Sequence, residues 1–273
     1  MPAQNSLFEI LDEYKPVSGK RKSPDGEVST NLVFTSHYGD NATLFPKILS
    51  LHVPKGSKIA DVTYGKGVFW RNVPSEDYVL LSSDLKTGVD CRKLPYKNAE
   101  IDCVVLDPPY MEGLYRTDGS MAGQGTHEAF QESYSNGTRP TDIESKWHDA
   151  VVEMYVQAAI EAKRVLTSGG VFIVKCQDEV SAGIQRLTHI EIILNFQQLG
   201  FYAKDLFVLT RLNKPVVTRV KRQLHARKNH SYFIVFVKGA TKSKQNSISV
   251  LSHLLNGQAE QTGHPHTAAS TDT

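Results

Sequence analysis

Asp107-Pro108-Pro109-Tyr110 is the stretch whose residue types and order most directly suggest chemistry. Both prolines lack a backbone donor and have a fixed φ, so together they form a rigid ledge. On that ledge the Asp107 carboxylate and the Pro108 carbonyl are free to accept hydrogen bonds. Two acceptors directed at one point suit an NH2 group, which has two hydrogens to donate. Tyr110 adds a flat face on which a planar ring can stack. A purely structural turn needs neither the acid before the prolines nor the aromatic after them.

Three further groups precede the tetrapeptide. In Asp61-Val62-Thr63-Tyr64-Gly65-Lys66-Gly67 the glycines let the backbone turn tightly and approach a ligand closely, although Gly-x-Gly also serves as a plain strand-to-helix turn. Asp84 stands one strand later, where a carboxylate accepts from two ribose hydroxyls or caps a turn. Asp90-Cys91, in the next connection, offers an acceptor for an adenine amino group or only a turn residue. Together these groups describe a nucleoside pocket without specifying the nucleotide.

The elements that must hold these residues are short apolar runs alternating with helical patterns. Residues 58–62, 78–81, 101–106 and 171–174 read as buried strands, and 206–209 and 232–237 as two more. The glycine turn at 65–67 is expected to open a helix. Residues 147–166 have helical spacing, with Val151, Met154, Tyr155, Ala158, Ala162 and Val165 on one face and Gly169-Gly170 as the expected C-terminal cap. Residues 184–199 read as a second amphipathic helix closed by Gly200. Phe69 and Trp70 read as core.

This alternation predicts an α/β fold with a doubly wound, mostly parallel sheet. The last two strands have no helix between them and predict an antiparallel C-terminal edge. In such sheets ligands bind beyond the carboxyl ends of the strands, near the point where strand order reverses. The glycine turn, Asp84 and the tetrapeptide all follow apolar strands directly, so they should converge on one rim.

Composition sets few further limits. The chain has 273 residues, 40% hydrophobic and 22% charged, ordinary for a globular protein. A formal net charge of +2 does not by itself imply nucleic acid, so any basic surface must be local. The three cysteines, Cys91, Cys103 and Cys176, lack paired metal-ligand spacing and read as buried thiols in a reducing compartment. No metal site is expected. The polar start lacks a signal-peptide pattern and no apolar run is long enough to span a bilayer, which predicts a cytoplasmic protein without membrane contact. We expect a flexible segment over 1–30 with a turn-rich loop at 18–26, one domain over 31–239, and a polar, largely disordered tail over 240–273. Within that tail, 248–255 has the pattern of a short helix.

Through Asp107 to Tyr110 the chain resembles the amino-methyltransferases acting on adenine N6 or cytosine N4. Their signature is Asp, Asn or Ser before Pro-Pro and an aromatic, together with an Asp-x-Phe-x-Gly-x-Gly motif. The resemblance runs over residues 34–238 and implies a class I S-adenosylmethionine-dependent fold. It implies Asp107, Pro108, Pro109 and Tyr110 as the catalytic motif. It also implies Asp61, Thr63, Gly65, Gly67, Asp84, Asp90 and Cys91 around S-adenosyl-L-methionine. Residues 34–49 resemble the helix-forming segment that closes over the methionine part. Thr63 departs from the pattern, standing where many members have phenylalanine. Asp before the prolines resembles the adenine branch, so the implied activity is methylation of adenine N6 in DNA, with the base flipped out of the stack.

Residues 211–228 contain Arg211, Lys214, Arg219, Lys221, Arg222, Arg227 and Lys228 and no acid. They read either as phosphate contacts or as a solvated charged loop. Residues 111–146, long and polar with Tyr115, Phe130 and Tyr134 interspersed, read as a lid or binding loop beside the site. DNA is the expected partner, with RNA as the alternative. A protein amide substrate and a catalytically silent nucleic-acid-binding subunit are the other readings.

Overall fold

The structure, a computed structural model, describes residues 32–110, 148–211 and 222–239. All of these but Leu32 fall in the unit Val33–Thr273. The expectations for 1–30, 111–146 and the tail from 240 onward lie outside the described residues.

In chain order the first elements are strand β1 (Ser36–Gly39), helix α1 (Asn41–His52), and strands β2 (Lys58–Asp61), β3 (Val79–Ser82) and β4 (Ile101–Leu106). Helix α2 (His148–Val165) leads into strand β5 (Leu166–Cys176), and a small hairpin of β6 (Glu179–Ser181) and β7 (Ile184–Arg186) follows. Helix α3 (Thr188–Gln198) then precedes the last two strands, β8 (Phe201–Arg211) and β9 (His230–Lys238). Seven strands form the main sheet in the order β1-β8-β9-β5-β4-β2-β3. Every pairing in it is parallel except those of β9 with β5 and β8. The expected doubly wound, mostly parallel sheet is therefore present with its antiparallel C-terminal strand, and β1 extends the sheet beyond β8.

The central strands are apolar on both faces because helices cover both. Ala60, Val104, Leu106, Phe172 and Val174 pack towards α2 and α3. Ile59, Cys103, Val105, Val171 and Ile173 pack towards α1 and Phe69. A strand buried on both faces reads as a continuous apolar run, which is how these strands were legible. All six residues expected on the inner face of α2 are buried.

Helix α1 begins at a capping box, in which Thr43 N donates to Asp40 Oδ1 (2.9 Å) and Asp40 N to Thr43 Oγ1 (3.3 Å). Pro46 lies inside this helix and cannot donate to the Ala42 carbonyl. Asn72 Nδ2 supplies that bond instead at 3.0 Å, tying α1 to the chain just beyond the glycine turn. The segment expected as helix-forming over 34–49 thus contains a strand, β1, before the helix.

Three local expectations are corrected. No α-helix follows the glycine turn; one 3-10 turn, Val68–Trp70, is all that forms. Pro74 bars a longer helix, because its nitrogen cannot donate to the Trp70 carbonyl, which accepts from Val73 N instead (3.1 Å). Helix α2 ends at Val165 rather than at Gly169-Gly170, because Ala99 N and Glu100 N take up the Arg164 and Val165 carbonyls (3.0 and 2.8 Å). Gly169, at φ 75°, instead sits in a register shift of β5 between the pairs Ile101↔Leu166 and Cys103↔Val171. Residues 184–186 form β7 and not the start of α3. Ala182 and Gly183 both have positive φ (50° and 77°), the geometry of a two-residue hairpin turn that folds Ile184–Arg186 back on β6.

Among the described residues no helix is long and apolar enough to cross a membrane. All three cysteines are free; Cys103 and Cys176 are buried and Cys91 is half-buried.

Candidate active site

Strand order reverses at β2, which has β3 on one side and β4 on the other. That is the switch point at which an open α/β sheet leaves a crevice beyond its carboxyl ends. Asp61 ends β2, Asp107 follows β4, and Lys175 lies near the end of β5. These strands are neighbours, and the registers Asp61↔Val105 and Leu106↔Val174 set Asp107 level with Lys175. Alternation along each strand places all three side chains on the α1 face of the sheet.

Asp61 is almost fully buried, at 3% exposure. Its Oδ1 accepts from Thr63 N (3.1 Å) and its Oδ2 from Trp70 Nε1 (2.7 Å). Burial pushes this carboxyl up to about 7, against the pull of the Trp70 and Thr63 bonds, with Asp107 and Asp84 adding repulsion. Trp70 is thus more than the core residue its sequence context suggested.

The glycine turn is held on both sides. Gly65 and Gly67 have φ of 53° and 64°, in the left-handed region that favours glycine. A Cβ on Gly67 would lie 2.5 Å from Tyr64 Oη, because the Tyr64 ring folds over it. Gly65 N donates to Asp84 Oδ2 at 3.1 Å, while Asp84 Oδ1 accepts from Thr87 N at 3.0 Å and caps a 3-10 turn. Asp84 is therefore a cap, one of the two readings of its position, and also bonds the glycine turn. Each of its oxygens retains a second acceptor direction.

Thr63, the departure from the family pattern, has a defined role. Its Oγ1 accepts from Asp107 N at 2.7 Å and so joins the glycine turn to the tetrapeptide. Phenylalanine could not make this bond.

At the tetrapeptide, Tyr110 Oη donates to Asp107 Oδ1 at 2.5 Å. Lys175 Nζ lies 3.3 Å from both Asp107 oxygens and donates to Tyr110 Oη. Its ammonium sits over the Tyr110, Phe69 and Phe233 rings at 4.9, 5.6 and 5.8 Å. Burial lowers the Lys175 amine, Asp107 opposes this, and the Arg211 charge adds to the lowering. The Tyr110 phenol is pushed well above its usual range by burial and by Asp107.

Asp90 and Cys91 stand apart from this cluster's hydrogen bonds. Arg92 clasps the Asp90 carboxylate through Nε (3.0 and 3.1 Å) and Nη2 (2.6 Å), with Arg92 N adding a bond at 2.9 Å. Burial works to raise the Asp90 carboxyl, but these bonds together hold it below its ordinary value. Burial pushes the Cys91 thiol up to about 12. Asp90 is a turn residue here, and any further acceptance must share a carboxylate that Arg92 already holds.

Of the basic run, Arg211, Arg222, Arg227 and Lys228 are described; Lys214, Arg219 and Lys221 lie outside the described residues. Strand β9 is antiparallel to both β5 and β8, so β8 points the same way as β5. The connection from β8 to β9 therefore leaves the sheet at the rim that carries Asp107. Arg222 and Arg227 are exposed and Lys228 is half-buried. His225 Nε2 lies 3.0 Å from Gly183 O, and Lys228 Nζ donates to Gln185 Oε1 (2.5 Å), so the β6–β7 hairpin braces this connection. Sequence reasoning missed Lys175, whose signal was a lone lysine at an alternating position of the otherwise apolar run 171–176.

The sequence model of the DNA methylase family matches residues 101–268, more than half of the chain. The matched stretch includes the tetrapeptide, Lys175 and the basic run. No curated protein sequence matches. Among solved structures, the chain is similar to a Thermus thermophilus protein described as a DNA modification methylase complexed with S-adenosyl-L-methionine. Identity is 15% over 76% of this chain and 63% of that one, with a TM-score of 0.36. It is also similar to TrmN from Thermus thermophilus, with 14% identity over 71% of this chain and 48% of that one and a TM-score of 0.38. The chain spans about 60% of the length of the DNA modification methylase structures it matches.

Proposed function

Because the chain belongs to the DNA methylase family, we propose that it transfers the methyl group of S-adenosyl-L-methionine to an exocyclic amino group of a nucleic-acid base, adenine N6 in DNA. The observation that carries this reading is the Thr63 Oγ1 to Asp107 N bond, which fixes the glycine turn and the tetrapeptide as one unit at the switch point. A donor site and an acceptor-lined ledge so joined suit direct transfer between two bound molecules.

The residues fit the cofactor. Gly65 and Gly67 supply a left-handed turn without side chains of their own, with the Tyr64 ring folded over Gly67, and Asp84 retains acceptor directions for ribose hydroxyls. Asp61 fixes the same turn through Thr63 N. Bound S-adenosyl-L-methionine supplies an electrophilic methyl group on a sulfonium. The chain's own contribution is to prepare the amine, whose lone pair is otherwise delocalised into the ring. Asp107 and the Pro108 carbonyl accept its two hydrogens, draw the nitrogen towards tetrahedral geometry and aim the lone pair. Tyr110 stacks on the base. Arg222, Arg227 and Lys228 contact phosphates, with Lys214, Arg219 and Lys221 extending the same run. The methyltransferase domain is 31–239.

Adenine is favoured by Asp rather than Ser before the prolines, and DNA by the family and by the basic connection on the rim. The test is to incubate the purified protein with labelled S-adenosyl-L-methionine and DNA or RNA and to analyse the nucleosides. N6-methyladenine in DNA is expected. N4-methylcytosine would overturn the branch, label in RNA alone the substrate, and no label in either the whole reading.

A further inference from the structure

Lys175 is the buried charge that the residues named so far do not explain. An ammonium removed from water is costly unless paired and hydrogen-bonded. At 4% side-chain exposure, its hydrogen-bond partners among the described residues are Asp107 and Tyr110, both in the tetrapeptide. The pairing is built into the sheet, since Lys175 faces Asp107 across the β4–β5 register and lies opposite Phe233 on β9. A slip of one residue would turn the lysine to the other face. Three aromatic rings close around the ammonium and hold it in place.

The second relevant charge is Asp61. It projects to the same face from the adjoining strand, and its carboxylate and that of Asp107 repel each other. Asp107 can grip an amine only as an acceptor, and a half-buried acceptor beside another acid is helped by a counter-charge on its far side. Resting on the amino-methylation proposed above, we infer that Lys175 is a positioning residue, whose ammonium pairs with the Asp107 carboxylate and keeps it aimed at the target amine. It touches neither base nor cofactor, and acts through Asp107 and Tyr110.

The test compares wild type with Lys175→Met, similar in length but uncharged, and Lys175→Arg, which keeps the charge. Each full-length protein is assayed for methyl transfer to DNA, for cofactor affinity by calorimetry and for thermal stability. Lys175→Met is expected to lower kcat by roughly 10²-fold, the cost of a misplaced reacting group, with KM for DNA and cofactor affinity changing little. Lys175→Arg is expected to recover much of that loss. Methionine and arginine variants with equal kcat would overturn the charge argument. So would a methionine variant as active as wild type, or one whose loss of kcat tracks a loss of folding and cofactor binding. An active wild type with such variants refutes the role of Lys175 alone; a wild type inactive on every nucleic-acid amine refutes the underlying reading as well.

Discussion

Trp70→Phe isolates the buried Asp61 carboxylate. The substitution keeps a ring beside Phe45, whose centroid lies 5.2 Å from that of Trp70, but removes the Nε1 donor 2.7 Å from Asp61 Oδ2. Lost packing should cost the same at any pH, whereas the hydrogen bond should not. A bond to a charged group contributes about 1.5–3 kcal/mol and a neutral one about 0.5–1.5 kcal/mol. The folded Asp61 titrates at about 7, far above its ordinary 3.8. Stability from this group is therefore highest below the unfolded value and falls as pH rises towards the folded one, because the unfolded chain releases its proton first. Near pH 5.5 Asp61 is mostly protonated in the fold, and near pH 8.5 it is mostly ionised. Trp70→Phe should accordingly destabilise the protein by about 1–2 kcal/mol more near pH 8.5 than near pH 5.5. The same difference corresponds to an upward shift of Asp61 by about one pH unit. Urea unfolding followed by circular dichroism at the two pH values measures it. An equal loss at both, or a larger one at the lower pH, would refute the idea that the indole supports the ionised carboxylate.

Further predictions concern the proposed site. Asp84→Ala should weaken S-adenosyl-L-methionine binding by on the order of 1–3 kcal/mol, through lost ribose contacts and a loosened Gly65; an unchanged dissociation constant by calorimetry would move the cofactor elsewhere. Asp107→Ala should remove most turnover while leaving cofactor binding nearly intact, and full activity in that variant would sink the mechanism. Tyr110→Phe should retain substantial activity because the stacking face survives, whereas Tyr110→Ala loses stacking of roughly 1–3 kcal/mol and should not. Replacing Arg222, Arg227 and Lys228 together with alanine should raise the apparent KM for DNA and flatten its salt dependence without changing cofactor affinity. An undiminished salt slope would identify the connection as a solvated surface.

Residue pattern alone was enough to mark six of the seven strands of the main sheet and the order of the site residues along the chain, but not β1 or the order of the strands in the sheet. Runs such as Ile101–Leu106 are legible because a strand covered on both faces is apolar along most of its length, Asp102 near the start of this one excepted, and α2 because its buried side chains recur with the helical period. Asp107 to Tyr110 was legible because two prolines between an acid and an aromatic constrain the local backbone whatever surrounds them. Contacts between distant residues emerge only in the folded chain. Asn72 relieving Pro46, Ala99 and Glu100 ending α2, and Thr63 bonding Asp107 each join segments whose separation in sequence carries no signal. The Ala182-Gly183 turn outweighed the helical pattern read from Ile184 onward, since its positive φ values directed the chain into a hairpin. Lys175 marks the limit most clearly. Its place in an apolar strand was visible, but only register across β4 and β5 sets its ammonium against Asp107, because pairing between strands fixes which buried charges meet.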